Sequence, residues 1–189
     1  VIPVKDNQEG INNFLEEFIK IQSEKKLPKE IIIVDNNSNE KIKIGEKFQE
    51  TKIPIKLIRC RKIGPASARN LGVKKSTGNW ILFVDSDCIP TDSLLSGYLT
   101  ANKGAIAYAG NIKSVGNGIL SNYYISQEIL IPLKTEDIER EFVPQYLITA
   151  NCLVLKSAFE KIKGFNENIK IAGGEDVDLG LRLSQIGRL

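Results

Sequence analysis

The sequence predicts an α/β protein in which a mainly parallel central sheet is flanked by helices. Three observations carry that expectation. Short β-branched runs alternate with stretches whose apolar residues recur at helical spacing. Two of the runs, "EIIIVD" (30–35) and "NWILFVD" (79–85), are apolar without alternation, as suits strands buried on both faces. Both end abruptly in a carboxylate, Asp35 and Asp85. Open parallel sheets bind ligands beyond the carboxyl ends of their strands, so the two aspartates are expected on one rim.

Taken in order, "VIPV" (1–4) reads as a truncated strand. Ile11, Phe14, Leu15, Phe18 and Ile19 then fall on one face of a helix. "EIIIVD" is the second strand. "EKIKIGEKFQE" (40–50) is a helix candidate, and "IPIKLIRC" (53–60) is a third strand with partial alternation. Pro65 has the fixed φ and missing N–H that suit a first helical position, so "ASARNLGVKKS" (66–76) continues as helix. "NWILFVD" is the fourth strand. Thr91 or Asp92 would cap a helix running through Leu95, Leu99 and Ala101, and "AIAYAG" (105–110) is a fifth strand. Residues 112–150 are less regular and suit loops, short helices and a mobile flap.

At 189 residues the chain is long enough for one α/β domain with a sizeable core. Its 42% hydrophobic and 26% charged residues are those of a globular protein, and a net charge of +3 is too small to argue for nucleic acid. No apolar run is long enough for a transmembrane helix, and no signal peptide is visible. Opening in a strand without a start methionine and stopping after a helical segment, the chain reads as part of a longer protein. The absence of histidine removes imidazole from catalysis and from metal ligation here. Cys60, Cys88 and Cys152 are isolated, with no C-x-x-C, and read as small buried residues of a reduced, cytoplasmic protein.

Four segments carry candidate chemistry. Asp85 and Asp87 sit two apart, and in an extended segment their side chains point the same way. Converging carboxylates repel each other unless a cation lies between them. A hard divalent ion, Mg²⁺ or Mn²⁺, fits oxygen ligands and keeps positions open for phosphate. The plain alternative is a solvated loop after a strand. "VDNNS" (34–38) is equally readable as a turn or as a carboxylate that accepts hydrogen bonds from a base or ribose. "GPASARN" (64–70) sets Arg69 near a helix N-terminus, a pairing that suits a diphosphate; by itself it reads as an ordinary helix start with a surface arginine. "AGGEDVDLGLRL" (172–183) carries Glu175, Asp176 and Asp178 after two glycines that allow close backbone approach to a ligand. Acidic residues also simply suit a first helical turn. Alternation there fits a strand as well, but the i,i+4 pair Asp178–Arg182 favours helix.

In this order, "VIPVKDN", "EIIIVDNNS", "GPASARNLGVKKSTGNWILFVDSDC", "TANCLVLKSAFEKIKGFNE" and "GGEDVDLGLRL" resemble a family 2 glycosyltransferase of the GT-A fold. The match spans nearly the whole chain, and the ordered set is far more specific than any one segment. The resemblance implies a single GT-A type nucleotide-diphospho-sugar transferase domain over 1–189, truncated at both ends. Its nucleotide-binding half would be 1–111 and its acceptor-side half 112–189. It implies transfer of a sugar from a UDP-, GDP- or dTDP-sugar donor to a hydroxyl of a saccharide or lipid-linked acceptor. Inversion, help from Mg²⁺ or Mn²⁺, and a place in polysaccharide or cell-envelope biosynthesis go with it. By position, Pro3 and Val4 line the nucleotide, Asp35 holds the base, and Ala68 and Arg69 lie near the nucleotide. Asp85 reaches the ribose or donor sugar and, with Asp87, the metal. Asn151 lines the sugar pocket and Asp176 is the catalytic base, kept ionised and only modestly basic by the helix dipole. Any membrane association would come from segments outside these residues.

The chain departs from the family pattern after "PV". Lys5 and Asp6 stand where Tyr and Asn are common, so base stacking by a tyrosine is lost. The Q-x-x-R-W motif of processive members is absent, which points to a non-processive enzyme. The competing reading is a non-catalytic nucleotide-sugar-binding or signalling module of similar architecture. A phospho-receiver would need an acidic pair after its first strand and would leave "GGEDVD" without a role. A sugar-nucleotide pyrophosphorylase would show a G-x-G-T-R type loop, and a nicotinamide enzyme a G-x-G-x-x-G; neither occurs. Retention of every acidic position argues against a degenerate transferase.

Overall fold

The computed structural model of the chain describes residues 1–21, 27–101, 104–127, 134–136, 142–144, 146–169 and 173–189. The first half alternates as the sequence predicts. It runs β1 (Ile2–Val4), α1 (Gln8–Ile21), β2 (Ile31–Asp35), β3 (Ile55–Arg59), α2 (Pro65–Lys75), β4 (Trp80–Val84), α3 (Ser93–Thr100) and β5 (Ala107–Ala109). Then come α4 (Ile119–Ser126), the ribbon of β6 (Lys134–Glu136) and β7 (Phe142–Pro144), β8 (Asn151–Leu155), α5 (Lys156–Lys161) and α6 (Gly174–Ser184).

Strands β1, β2 and β3 pair in parallel. Val1 joins β1 to β4: its nitrogen donates to the Leu82 carbonyl at 2.7 Å, and its carbonyl accepts from the Val84 N–H at 3.3 Å. That is a parallel pattern. β8 then runs antiparallel between β4 and β5. The fifth strand is therefore present but is not the neighbour of the fourth.

Both faces of the sheet are covered, which explains the unbroken apolar runs. Along β2, Ile31 and Ile33 pack with Ile11, Phe14, Leu15 and Phe18 of α1, while Ile32 and Val34 face Ala68 of α2. Along β4, Leu82 and Val84 face the α1 cluster. Ile81 and Phe83 pack instead with Phe159, Phe165 and Leu179, the last on α6.

Residues 40–50 hold only a single 3₁₀ turn, at Glu46–Phe48, where the sequence suggests a helix. Ile42 and Phe48 are buried against the α1 cluster, so their spacing comes from a loop tucking in its apolar side chains. Asp92 precedes α3 but makes no capping bond with its side chain. Of the stretch expected to form a flap, 128–133, 137–141 and 145 lie outside the described residues. The three cysteines are free, and burial, with Asp85 and Asp87 nearby, pushes the Cys88 thiol up to about 12. Among the described residues no helix is long and apolar enough to cross a membrane.

Glu30 ties β2 to two neighbouring segments. Its Oε1 accepts from the Thr77 N–H at 2.6 Å and from Thr77 Oγ1 at 2.8 Å, and its Oε2 pairs with Lys56. Burial pushes this carboxyl up, but Lys56 and Thr77 outweigh burial and hold it down from 4.5 to about 2. A depressed folded-state pKa adds stability above the unfolded value and loses it as pH falls through the folded one. Glu30→Gln should cost about 1.5–3 kcal/mol at neutral pH, the range for hydrogen bonds to a charged group. Urea midpoints should show that gap closing as pH falls from 4.5 towards about 2. A gap independent of pH would count against charge as its origin.

Candidate active site

The parallel strands aim their carboxyl ends at one rim. β8 runs the other way, so it begins at that rim, with Asn151 opposite Val84. The rim thus collects Asp35, Asp85 and the residues just before β8.

Beyond Val84 the chain does not stay extended. The Cys88 N–H bonds to the Asp85 carbonyl at 3.2 Å and closes a turn over 85–88. Strand alternation therefore does not set the directions of Asp85 and Asp87, which corrects the sequence expectation. The turn rests on the start of α1, where Asn7 Nδ2 reaches Ser86 Oγ at 3.3 Å and Asn7 Oδ1 accepts from the Gly10 N–H at 2.9 Å. A Cβ on Gly10 would lie 2.2 Å from the Ser86 carbonyl oxygen, so only glycine permits this approach.

The two aspartates have different surroundings. Asp87 is exposed and makes no hydrogen bond or ion pair with a described residue. Asp85 Oδ1 accepts from Arg69 Nη2 at 2.8 Å. Arg69 is only 4% exposed, so it is not the surface arginine that its segment suggests in isolation. On its other branch, Nη1 donates to Glu175 Oε1 at 3.2 Å and lies 3.9 Å from Asp176 Oδ1. The Phe165 ring lies 5.6 Å from the guanidinium carbon. Arg69 Nε is buried without a partner among the described residues. Burial opposes the positive charge, but Asp85, Asp176 and Glu175 more than restore it and raise the pKa. Small neighbours on α2 make room for the side chain: Ala66, Ser67, Ala68 and Gly72 are all buried.

Asp176 enters from the first turn of α6. Gly173 before it has φ +79°, with nothing within 4 Å of where a Cβ would stand. Backbone conformation, not close approach, calls for this glycine. α6 is helical as the i,i+4 pair implies: Arg182 Nε donates to Asp178 Oδ2 at 2.9 Å. Arg182 also donates to the carbonyls of Ile162 and Gly164. Asp178 thus serves the packing of α6. Asp176 is held by Thr149, whose N–H reaches Oδ2 at 3.0 Å and whose Oγ1 reaches Oδ1 at 2.6 Å. Burial raises the Asp176 carboxyl above 3.8, against the pull of Arg69 and Thr149 and with a push from Glu175. Its basicity is therefore greater than the helix dipole alone suggests.

Asp35 is buried at the end of β2. Its Oδ1 accepts from the Ser38 N–H at 2.8 Å, and its Oδ2 lies 3.4 Å from Arg59 Nη1. Its neighbour Asn36, not singled out from sequence, donates to the Lys62 carbonyl and accepts from the Gly64 N–H, each at 2.8 Å. It thereby pins the loop that starts α2. Pro3 is half-buried, while the side chains of Val4 and Ala68 sit in the core. Asn151 Oδ1 accepts from the Tyr98 hydroxyl at 2.7 Å, and Nδ2 donates to the Asn111 carbonyl at 3.1 Å. The structure thus gathers Arg69, Asp85, Glu175 and Asp176 in one cluster. Asp35 and Asn151 share the rim without a hydrogen bond to that cluster. Thr149 was missed from sequence; its only signal is a place two residues before Asn151.

Among the described residues, no three His, Cys, Asp or Glu side chains are grouped as a metal site. Asp87 and the second oxygen of Asp85 offer two carboxylates at most. That donor set fits an ion that takes its remaining ligands from phosphate and water, as Mg²⁺ commonly does.

A mixed sheet with an acidic rim and a covered second half defines a GT-A type fold. Within that class, the chain matches glycosyl transferase family 2 over residues 1–163 and belongs to it. It is 30% identical over 162 residues to the minor teichoic acid biosynthesis protein GgaB of Bacillus subtilis, covering 79% of this chain and 17% of that one. It is 25% identical over 193 aligned positions to the pre-mycofactocin glycosyltransferase of Mycobacterium tuberculosis, covering 99% of this chain and 39% of that one. The structure superposes on S. aureus TarS 1–349 with a TM-score of 0.68 at 21% identity, covering 96% of this chain and 53% of that one. It superposes on a mannosyltransferase of Pyrobaculum calidifontis, solved with GDP-Man and Mn²⁺, with a TM-score of 0.66 at 16% identity. That match covers 99% of this chain and 51% of that one. The chain therefore spans about half the length of these two structures and less of the two curated relatives.

Removing Arg69 should be felt by the whole fold. Arg69→Met would leave Glu175 buried and uncompensated, which costs about 3–5 kcal/mol. Urea unfolding should show a much lower midpoint than in Arg61→Met, a change at an exposed arginine. Equal midpoints would mean that the buried cluster does not depend on its cation.

Proposed function

We propose that this chain forms the catalytic part of a glycosyltransferase that moves a sugar from a nucleotide-diphosphate donor to an acceptor hydroxyl, with inversion and without processive elongation. The observation that carries this reading is the Arg69 bridge. It draws Asp85 at the end of β4 and Glu175–Asp176 at the start of α6 to one rim. Residues 1–111 form the nucleotide half and residues 112–189 the acceptor side. Asp35 receives the base or ribose, Pro3 and Val4 border the nucleotide through their backbone, and Ala68 lets α2 approach it. Asn151 borders the sugar. Asp87 and the second oxygen of Asp85 would hold Mg²⁺ or Mn²⁺, which when bound would offset the charge of the departing diphosphate. Family membership supports this reading, as do relatives solved with GDP-Man and Mn²⁺ or with UDP-GlcNAc. The acceptor is a saccharide or lipid-linked group, and the teichoic acid relative supports a place in cell-envelope biosynthesis.

The acceptor hydroxyl is a poor nucleophile until its proton is being removed. Under inversion it attacks from the face opposite the diphosphate, so its base is a carboxylate other than Asp85 and Asp87, which face the donor. The chain has no histidine, which leaves the carboxylates of α6. Glu175 is buried and paired with Arg69, whereas the Asp176 side chain is 15% exposed. Burial that raises the Asp176 pKa makes its ionised form a cost to the fold, a pattern that functional groups share. Asp176 is therefore the base. As the new bond to the anomeric carbon forms, the acceptor proton passes to Asp176. The old carbon–oxygen bond breaks, and its electron pair leaves with the nucleoside diphosphate.

Two measurements test this reading. UDP-GlcNAc, GDP-mannose and a dTDP-sugar should be compared by thermal shift with and without Mn²⁺. One donor should raise the melting temperature, since a ligand of the native state stabilises it by mass action, and Asp87→Ala should lose the part that depends on Mn²⁺. A response to none of the three would remove the donor assignment. Asp176→Asn should keep that donor shift while turnover drops at least ~10²-fold, the low end for acid–base catalysis. The acid limb of wild-type turnover should lie above 3.8, because the folded state raises this carboxyl. Near-normal turnover in Asp176→Asn, with Glu175→Gln inactive, would move the role to Glu175.

A further inference from the structure

The geometry points to Thr149 as a positioning residue that locks both oxygens of the Asp176 carboxylate, with Oδ2, the oxygen farther from Arg69, as the proton acceptor. The inference rests on the reading of Asp176 as the base.

Thr149 is fully buried in the turn that leads into β8. Its place is set from two sides. The Asn151 N–H bonds to the Ile148 carbonyl at 3.0 Å, and Asn151 is in register with Val84 of β4. Any carboxylate tied to Thr149 is therefore tied to the central sheet and to the strand that carries Asp85. The hold has two points. The hydroxyl takes Oδ1 at 2.6 Å, and the backbone N–H takes Oδ2 at 3.0 Å. The terminal torsion of an aspartate is otherwise broad and roughly two-fold, so one contact would leave the oxygens free to turn.

The two oxygens differ in how near they lie to the Arg69 charge. A carboxylate offers about four lone-pair positions. Oδ1 accepts the Thr149 hydroxyl and has Arg69 Nη1 at 3.9 Å. Oδ2 accepts only the Thr149 N–H among the described residues. Each oxygen thus accepts one bond from Thr149, and Oδ2 is the oxygen farther from the Arg69 charge, which makes it the better proton acceptor. The hydroxyl has a second consequence. As a charge-assisted donor it favours the ionised carboxylate, so it limits how far burial raises the pKa. A base that must be unprotonated before it can act gains from both effects.

A merely structural threonine would stabilise the α6–β8 junction without setting turnover, and the hydroxyl can be removed while the backbone N–H stays. In the whole chain, the carboxyl of Asp176 can be titrated by ¹³C NMR and assigned by its loss in Asp176→Asn. Thr149→Val should raise that titration by about one unit, the scale of one charge-assisted hydrogen bond. Thr149→Ser should restore it. With the nucleotide sugar that stabilises the protein, kcat should fall roughly 10-fold in Thr149→Val, at the low end for a misplaced catalytic group, with donor KM unchanged. Serine should recover most of it. If Thr149→Val does not fold, Thr149→Cys replaces it, with similar size and only a weak donor. An Asp176 titration unmoved in the variant without the hydroxyl, or a serine variant that behaves like valine, overturns the inference. Near-normal turnover in Asp176→Asn sinks the base reading itself. An inactive Asp176→Asn beside a fully active Thr149→Val sinks only the role of Thr149.

Discussion

The arrangement of this rim depends on one buried cation. A guanidinium that leaves water must find compensating charge and hydrogen bonds, or it costs several kcal/mol. Arg69 finds them in segments far apart in the chain: Asp85 after β4 and Glu175 in α6, with Asp176 just beyond. The planar fork suits this role. Its two terminal nitrogens reach carboxylates on different segments, while Phe165 lies against the guanidinium. A lysine in its place would offer a point charge and no fork. The arginine's Nε is buried without a partner among the described residues.

The second constraint is strand direction. A wholly parallel sheet would bring only strand ends to the rim, followed by the loops that leave them. Reversing one strand brings its beginning there. β8 does this beside β4, so the turn before it, with Thr149, comes level with the turn after β4, with Asp85. The two halves of the candidate site then share one frame. Parallel strands place Asp35 and Asp85, the antiparallel strand places Thr149 and Asn151, and α6 packs its Leu179 and Leu183 behind them in the cluster with Phe83.

Much of this was legible in the sequence, for physical reasons that differ by segment. The runs 31–35 and 80–84 read as strands because burial on both faces removes polar residues from the pattern. α6 read as helix through a charge pair that the structure contains. The 40–50 segment misled because apolar spacing reports burial, and a loop can bury Ile42 and Phe48 as a helix would. β8 escapes the sequence pattern because its neighbours in the sheet, β4 and β5, come earlier in the chain and its direction is set by long-range pairing. The turn at 85–88 was hidden by the two-residue spacing of its aspartates, which suits a strand just as well. The burial of Arg69 had a faint signal. A long cation among Ala66, Ser67, Ala68 and Gly72 sits on a helix face with little else to fill the space against the sheet.

The charge sum of the cluster narrows how a donor can be received. One guanidinium faces Asp85, Glu175 and Asp176, and Asp87 stands close by in the chain. Formally the rim is negative even after Arg69 is counted. Arg69 also has little left to offer a ligand: its two terminal nitrogens serve carboxylates, and its side chain is 5% exposed. In the structure Arg69 is an internal counter-ion and not a surface arginine. A diphosphate is itself strongly anionic, so under the proposed reaction it would be repelled here unless it arrived with positive charge. The exposed Asp87 and the second oxygen of Asp85, which has no partner among the described residues, are where such charge would be met. Without that charge, Arg69 offsets Asp85 and water solvates the exposed Asp87.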